Sequence, residues 1–187
     1  DTGAWQRLPD LAATETLHNA ARAFWRVPDG AAILAAPGTS ALIARIPALL
    51  PRSRIVIPGP TYNEHAAAFA AEGWQVAVQG DAFVAVHPNN PDGRLWCADD
   101  LPMAALTVID ESFCDCCPEA SLIGLATRPG TLILKGLGKF WGLAGLRLGF
   151  AIGDPVLVAR LAEMLGPWPV SGPALVVGAV ALTDEKW

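Results

Sequence analysis

"LILKGLGKFWGLAGLRLGF", residues 132 to 150, decides how the rest of the chain is read. It begins as an apolar strand and passes into a run where Gly136, Gly138, Gly142 and Gly145 surround Lys139. It then closes on Arg147 and a second apolar strand. A lone lysine after a strand is ordinarily solvated. Here the small neighbours leave room for a bulky group beside the amine, and a position close to a sheet edge offers weakly hydrated surroundings that favour a nucleophilic lysine.

Outward from that stretch, short apolar runs alternate with helix-length amphipathic segments, the pattern of strand, crossover helix and parallel strand. The sequence predicts strands at 31–35, 54–57, 75–78, 82–86, 106–109, 131–134 and 149–152. It predicts helices at 11–25, 40–50, 64–72, 99–104, 118–125, 155–165 and 172–182. The fold class is therefore α/β, with a mostly parallel seven-stranded sheet and helices on both faces. No internal repeat or low-complexity tract interrupts it.

Composition narrows the function. The 187 residues are 52% apolar and 17% charged, enough for a core and consistent with one domain. A net charge of −5 without blocks of like charge argues against nucleic acid and anionic lipid, leaving small molecules or other subunits as partners. No window approaches the roughly 18 apolar residues of a membrane span, and "DTGAWQRLPD" lacks the basic flank and apolar run of a leader, which predicts a cytoplasmic protein. Cys114, Cys116 and Cys117 lack the paired spacing of a zinc site and Cys97 stands apart, so free thiols and no metal are expected. His18, His65 and His87 are scattered and read as surface or packing histidines.

In open α/β sheets, ligands sit beyond the carboxyl ends of the strands. After the first strand, "PGTSALIARI" offers a sharp turn at Gly38 with Thr39 and Ser40 opening a helix; this is an ordinary cap or an anion site. After the second, "PGPTYNEH" sets Tyr62, the one tyrosine, at a helix mouth, where it staples the helix or covers a planar ligand. "HPNNPDGR" is turn chemistry that also aims the amide of Asn89 or Asn90 into the cleft. "LTVIDESF" leaves Asp110 at the lip of a buried strand, where a carboxylate demands a partner, although Asp110 or Ser112 can equally cap a helix. Anion site, aromatic plate, amide donor, carboxylate, amine and arginine together match what pyridoxal phosphate requires. Neither a G-x-x-x-x-G-K-[ST] loop nor a G-x-G-x-x-G turn supports a nucleotide site.

"HPNNPDGR", "VIDESF" and "GLGKFWGLAGLRLGF" resemble the fold-type I pyridoxal phosphate enzymes of the class I/II aminotransferase group, from about residue 31 to Trp187. Within the group the likeness is greatest to the threonine-phosphate decarboxylases, relatives of the histidinol-phosphate aminotransferases. The resemblance implies that Lys139 bonds the cofactor aldehyde, that Asp110 partners the pyridine nitrogen and that Asn90 donates to the phenolic oxygen. It implies that Tyr62 stacks on the ring, and that Gly38, Thr39 and Arg147 hold the phosphate. It further implies pyridoxal 5'-phosphate as cofactor, a homodimer, and decarboxylation of L-threonine O-3-phosphate to aminopropanol phosphate in cobalamin biosynthesis. An aminotransferase and a non-catalytic cofactor-binding domain are the alternatives. Residues 1–187 would form the large domain, without the family's small C-terminal domain and its substrate-carboxylate arginine. Two positions depart from the family pattern: Gly136 stands where a serine or threonine is frequent, and Phe113 where a tyrosine is.

Overall fold

Seven segments, β1 (Ala32–Ala36), β2 (Arg54–Val56), β3 (Gln75–Val76), β4 (Ala82–Val86), β5 (Leu106–Asp110), β6 (Thr131–Gly136) and β7 (Gly149–Gly153), form one sheet in a computed structural model that describes residues 2–186. Trp187, the far limit of the resemblance, lies outside the described residues. The strand order is β1-β7-β6-β5-β4-β2-β3. β2 pairs parallel with β3 and β4, β4 with β5 and β5 with β6, whereas β7 is antiparallel to both β6 and β1. Six strands thus run one way and β7 alone is reversed. The cause is local: residues 137–148 hold no helix long enough to cross the sheet, so the chain turns back beside β6.

β4 and β5 are buried along their whole length, as strands covered on both faces must be. Side chains alternate between two cores. Ile109, Ile133, Phe150 and Ile152 pack on one face with Leu17 and Ala21 of α1 (Leu11–Phe24) and Leu175 and Leu182 of α5 (Gly172–Thr183). Val84, Val108, Leu132 and Leu134 pack on the other with Leu42 of α2 (Thr39–Ile43), Phe69 of α3 (Asn63–Ala71), and Leu157 and Leu161 of α4 (Pro155–Leu165). Asp10 caps α1 by accepting from the Ala13 amide at 2.8 Å, and Asp154 caps α4, which opens on Pro155.

Three predicted helices are shorter than expected. The 40–50 segment divides into α2 and a 3-10 turn, Ile46–Leu49, because Pro47 has no amide to continue the helical ladder. The 99–104 segment yields only the turn Ala98–Asp100, since Pro102 disfavours helix at the residue before it. The 118–125 segment forms two turns, Pro118–Ala120 and Ile123–Thr127, because the Glu111 carboxylate takes the Leu122 amide at 2.5 Å that a helix would use. Among the described residues, no helix is long and apolar enough to cross a membrane.

Candidate active site

The reversed strand gathers the site. The carboxyl ends of β1, β2, β4, β5 and β6 and the amino end of β7 share one edge of the sheet. Gly38 follows β1, Arg147 precedes β7, Lys139 follows β6, Asp110 ends β5, Asn90 follows β4 and Tyr62 follows β2. All of them, with Thr39, line one cleft of about 280 Å³, near the lower end of small-ligand sites. The sequence-predicted set is therefore brought together without exception.

Part of the cleft gathers groups whose charge and donors suit an anion. Gly38 has φ +86°, and a Cβ there would sit 2.7 Å from Nη2 of Arg147, so glycine is needed both for the turn and for the approach of the guanidinium. Arg147 itself is left-handed, at φ 52° and ψ 53°, a conformation that costs a residue with a side chain about 1 kcal/mol or more. Among the described residues no carboxylate pairs with it. Thr39 and Ser40 add hydroxyls and the first amides of α2 at the same place. Gly136 belongs to this geometry too, since a Cβ there would stand 3.3 Å from the Thr39 methyl. The family's frequent hydroxyl residue at that position would crowd Thr39, which brings a hydroxyl of its own.

Gly149 sets how closely α2 approaches the sheet. A Cβ at Gly149 would lie 2.5 Å from the Thr39 amide nitrogen and 2.8 Å from the Gly38 carbonyl carbon, both backbone atoms with no rotamer to escape into. Gly149→Ala is therefore expected to destabilise the protein by about 2 kcal/mol, read as a lower urea midpoint at unchanged slope. An unaltered midpoint would show that this approach is not tight.

Asp110, which also lines the cleft, is buried. Its Oδ2 accepts from Nε2 of His65 at 2.8 Å, and its Oδ1 accepts from the Ser112 amide at 3.0 Å and hydroxyl at 2.6 Å. Burial alone would raise the carboxyl pKa. The hydrogen bond and charge of His65, with the two bonds from Ser112, outweigh it and hold the group below its ordinary value, so Asp110 is an anion at neutral pH. The scattered-histidine reading is corrected here: His65, 1% exposed, is the partner that Asp110 demands. The sequence signal was available, because His65 stands only three residues after Tyr62, in the first turn of α3, and the two rings meet edge-on with centres 6.2 Å apart. Ser112 acts as a ligand of Asp110 rather than as a helix cap.

The open choice between the two asparagines is resolved by their partners. Asn89 is buried, donates to the Pro60 carbonyl at 3.0 Å and to Asp92 at 2.7 Å, and accepts from Thr61 at 2.5 Å, locking the 87–94 turn to the segment before Tyr62. Asn90 lines the cleft. Lys139 departs from the expectation of weak hydration: it is exposed at the rim, its Nζ 5.2 Å from the centre of the Phe113 ring. All four cysteines are free, and burial pushes the Cys114 thiol far above its usual range, which makes it inert.

Known proteins resemble this chain in sequence and in fold. The family model for aminotransferase class I and II matches residues 77–187. A threonine-phosphate decarboxylase of Sinorhizobium sp is 41% identical over 97% of this chain and 60% of its own length. A histidinol-phosphate aminotransferase of Pectobacterium atrosepticum is 41% identical over a shorter stretch, 52% of this chain and 30% of its own length. The crystal structure of histidinol-phosphate aminotransferase from Sinorhizobium meliloti in complex with pyridoxal-5'-phosphate has the same fold, with a TM-score of 0.85 over 99% of this chain and 58% of that one, at 19% identity. The chain thus spans about 60% of the decarboxylase it matches. With a family match across the segment that carries Asp110, Lys139 and Arg147, and kinship along nearly the whole sequence, this chain belongs to the class I and II aminotransferases, a family of pyridoxal phosphate-dependent enzymes.

Proposed function

We propose that this chain is the cofactor-binding part of a pyridoxal phosphate enzyme that decarboxylates L-threonine O-3-phosphate to aminopropanol phosphate, a step of cobalamin side-arm synthesis. The observation that carries the reading is the single cleft lined by a buried anionic Asp110, the amine of Lys139 and the donors around Arg147. These residues fit the cofactor. The guanidinium against Gly38 and the hydroxyls of Thr39 and Ser40 suit a phosphate, the Asp110 carboxylate suits a protonated ring nitrogen, and the Lys139 amine suits an aldehyde. The choice of decarboxylation over amino transfer rests on extent of kinship: the decarboxylase is similar along the whole chain, the aminotransferase along half.

When bound, pyridoxal phosphate supplies an electron sink for the pair released at the substrate Cα. The chain's residues prepare that sink. Asp110, kept ionised by His65 and Ser112, holds a proton on the ring nitrogen. Arg147, Thr39 and Ser40 would hold the phosphate and so restrict how the cofactor sits in the cleft. Tyr62, about one-third exposed, covers one ring face, and the Asn90 amide donates to the phenolic oxygen. Lys139 would hold the cofactor through its aldehyde, and its amine would move the proton at the substrate Cα. A homodimer is part of this proposal.

Product analysis tests it. Incubation of the protein with pyridoxal phosphate and L-threonine O-3-phosphate is expected to release CO₂ without any requirement for an oxo-acid. Amino transfer to 2-oxoglutarate from histidinol phosphate, without CO₂, would replace the reading with an aminotransferase. Cofactor binding with neither product would make the chain a non-catalytic carrier.

A further inference from the structure

Behind the cleft, on the sheet face that carries α1 and α5, lies a second charged cluster that the cofactor does not use. Lys135 and Glu111 are buried side by side, with Nζ 2.6 Å from Oε2. They alternate with Gly136 and Asp110, so strand geometry sends them to the opposite face from the cleft residues. Glu111 also accepts from the Ser121 hydroxyl at 2.7 Å and from the Leu122 amide. His87, Glu111 and Cys114 bring metal-ligand atoms within 4.8 Å of one another. His87, however, commits both ring nitrogens, Nδ1 accepting from the Trp96 amide at 3.0 Å and Nε2 donating to the Ala120 carbonyl at 2.7 Å, and the Lys135 ammonium supplies the cation.

The hub of the cluster is Asp115. Its Oδ1 accepts from the Trp25 indole at 2.9 Å and from Lys135 at 3.3 Å; its Oδ2 accepts from the Trp141 indole at 2.9 Å. Burial pushes the Lys135 pKa down, but Glu111 and Asp115 more than offset that, leaving a permanent cation. Trp141 is two residues from Lys139, only 2% exposed, and packs edge-on against Phe24 with ring centres 5.0 Å apart. The loop between these two residues and β7 is held by backbone bonds, the Gly142 amide donating to Lys139, the Leu143 amide to Leu137 and the Leu146 amide to Leu143, each at 3.0 Å, and by Leu143 and Leu146, which pack half-buried on the core. Its solvent side carries Gly142 and Gly145, and Trp141 is its buried aromatic, the side chain that ties it by a hydrogen bond to the charged cluster.

We propose that Asp115 is a positioning residue that, paired with Lys135 and Trp25, fixes the Lys139 loop through its hydrogen bond to Trp141. The inference rests on the reading of Lys139 as the amine that bonds the cofactor. Its consequence is mechanical: the amine is exposed and flexible, so the accuracy with which it meets an aldehyde depends on the backbone that bears it.

Trp141→Phe tests this by deleting one N–H while keeping the ring packed on Phe24. In the protein without cofactor, hydrogen exchange at the Gly142 and Leu143 amides is expected to rise about tenfold, the worth of one hydrogen bond to a charged acceptor. Exchange at Val84 and Ala85 in β4 should not change. With pyridoxal phosphate added, the rate of forming a borohydride-trapped adduct at Lys139 should fall by a similar factor. Asp115→Asn should do the same or more, because its amide nitrogen would face a donor on one side; should that variant not fold, Trp141→Phe alone decides. Unchanged exchange at Gly142 and Leu143, or a uniform rise that includes β4, overturns the proposal. A wild-type protein that traps no adduct at Lys139 would sink the cofactor reading instead, and the exchange arm would still decide the anchor.

Discussion

Lys139→Ala is expected to abolish the borohydride-reducible cofactor adduct and to lower turnover by at least about three orders of magnitude, with folding stability almost untouched. The three outcomes follow from one placement. Lys139 is exposed at the rim of the cleft, its only ring neighbour among the described residues being Phe113, so removing its side chain opens no core cavity and should stay within about 0.5 kcal/mol in stability. No other lysine lines the cleft: Lys135 is the nearest in sequence, but it is sealed behind the sheet by Glu111 and Asp115 and cannot substitute. Under the proposed function, loss of the amine removes both the anchor and the base for Cα, and each tenfold of lost rate corresponds to about 1.4 kcal/mol of barrier. The check is borohydride reduction followed by peptide mapping, with a urea titration alongside. Detection of a reduced adduct at another residue in the variant, with turnover retained, would show that the amine has been misidentified.

The sequence made much of this visible because its signals are local. The strand runs are short, mostly apolar segments bounded by turn residues, so all seven were legible, and glycines around one lysine marked the loop. What escaped was long-range. The reversal of β7 depends on pairing, which apolar runs do not encode. Pro47 and Pro102 were read inside helices although each removes a backbone donor, and there the apolar pattern outweighed the proline signal. His65 meets Asp110 from 45 residues away, and only the i+3 relation to Tyr62 pointed towards it. The most deceptive residue is Lys135. The strand predicted at 131–134 stopped short of it and gave it no role, whereas β6 continues to Gly136 and Lys135 is 1% exposed, held by acids that lie 20 and 24 positions earlier.

Asp110→Asn is expected to retain bound cofactor yet lose turnover by several orders of magnitude. The amide keeps the shape of the carboxylate, its oxygen still accepts from Ser112, and its nitrogen donates to Nε2 of His65 once that ring carries its proton on Nδ1, so the cleft should persist; Lys139 and the donors around Arg147 and Thr39 are untouched. What disappears is the negative charge, which His65 and Ser112 are arranged to preserve against burial. Without it nothing in the cleft holds a proton on the pyridine nitrogen, and the ring no longer takes up the electron pair from Cα at neutral pH. Asp110→Ala removes the charge as well, but leaves the buried His65 and Ser112 donors without an acceptor, adding a folding cost of about 1–3 kcal/mol. The pair separates chemistry from folding: both variants should be equally inactive, and the alanine variant alone should lose substantial stability. Measurement of kcat, cofactor content and urea midpoint on the two variants makes the comparison. An asparagine variant with bound cofactor and near-normal kcat would mean that the carboxylate serves only the fold, and that the ring nitrogen works unprotonated.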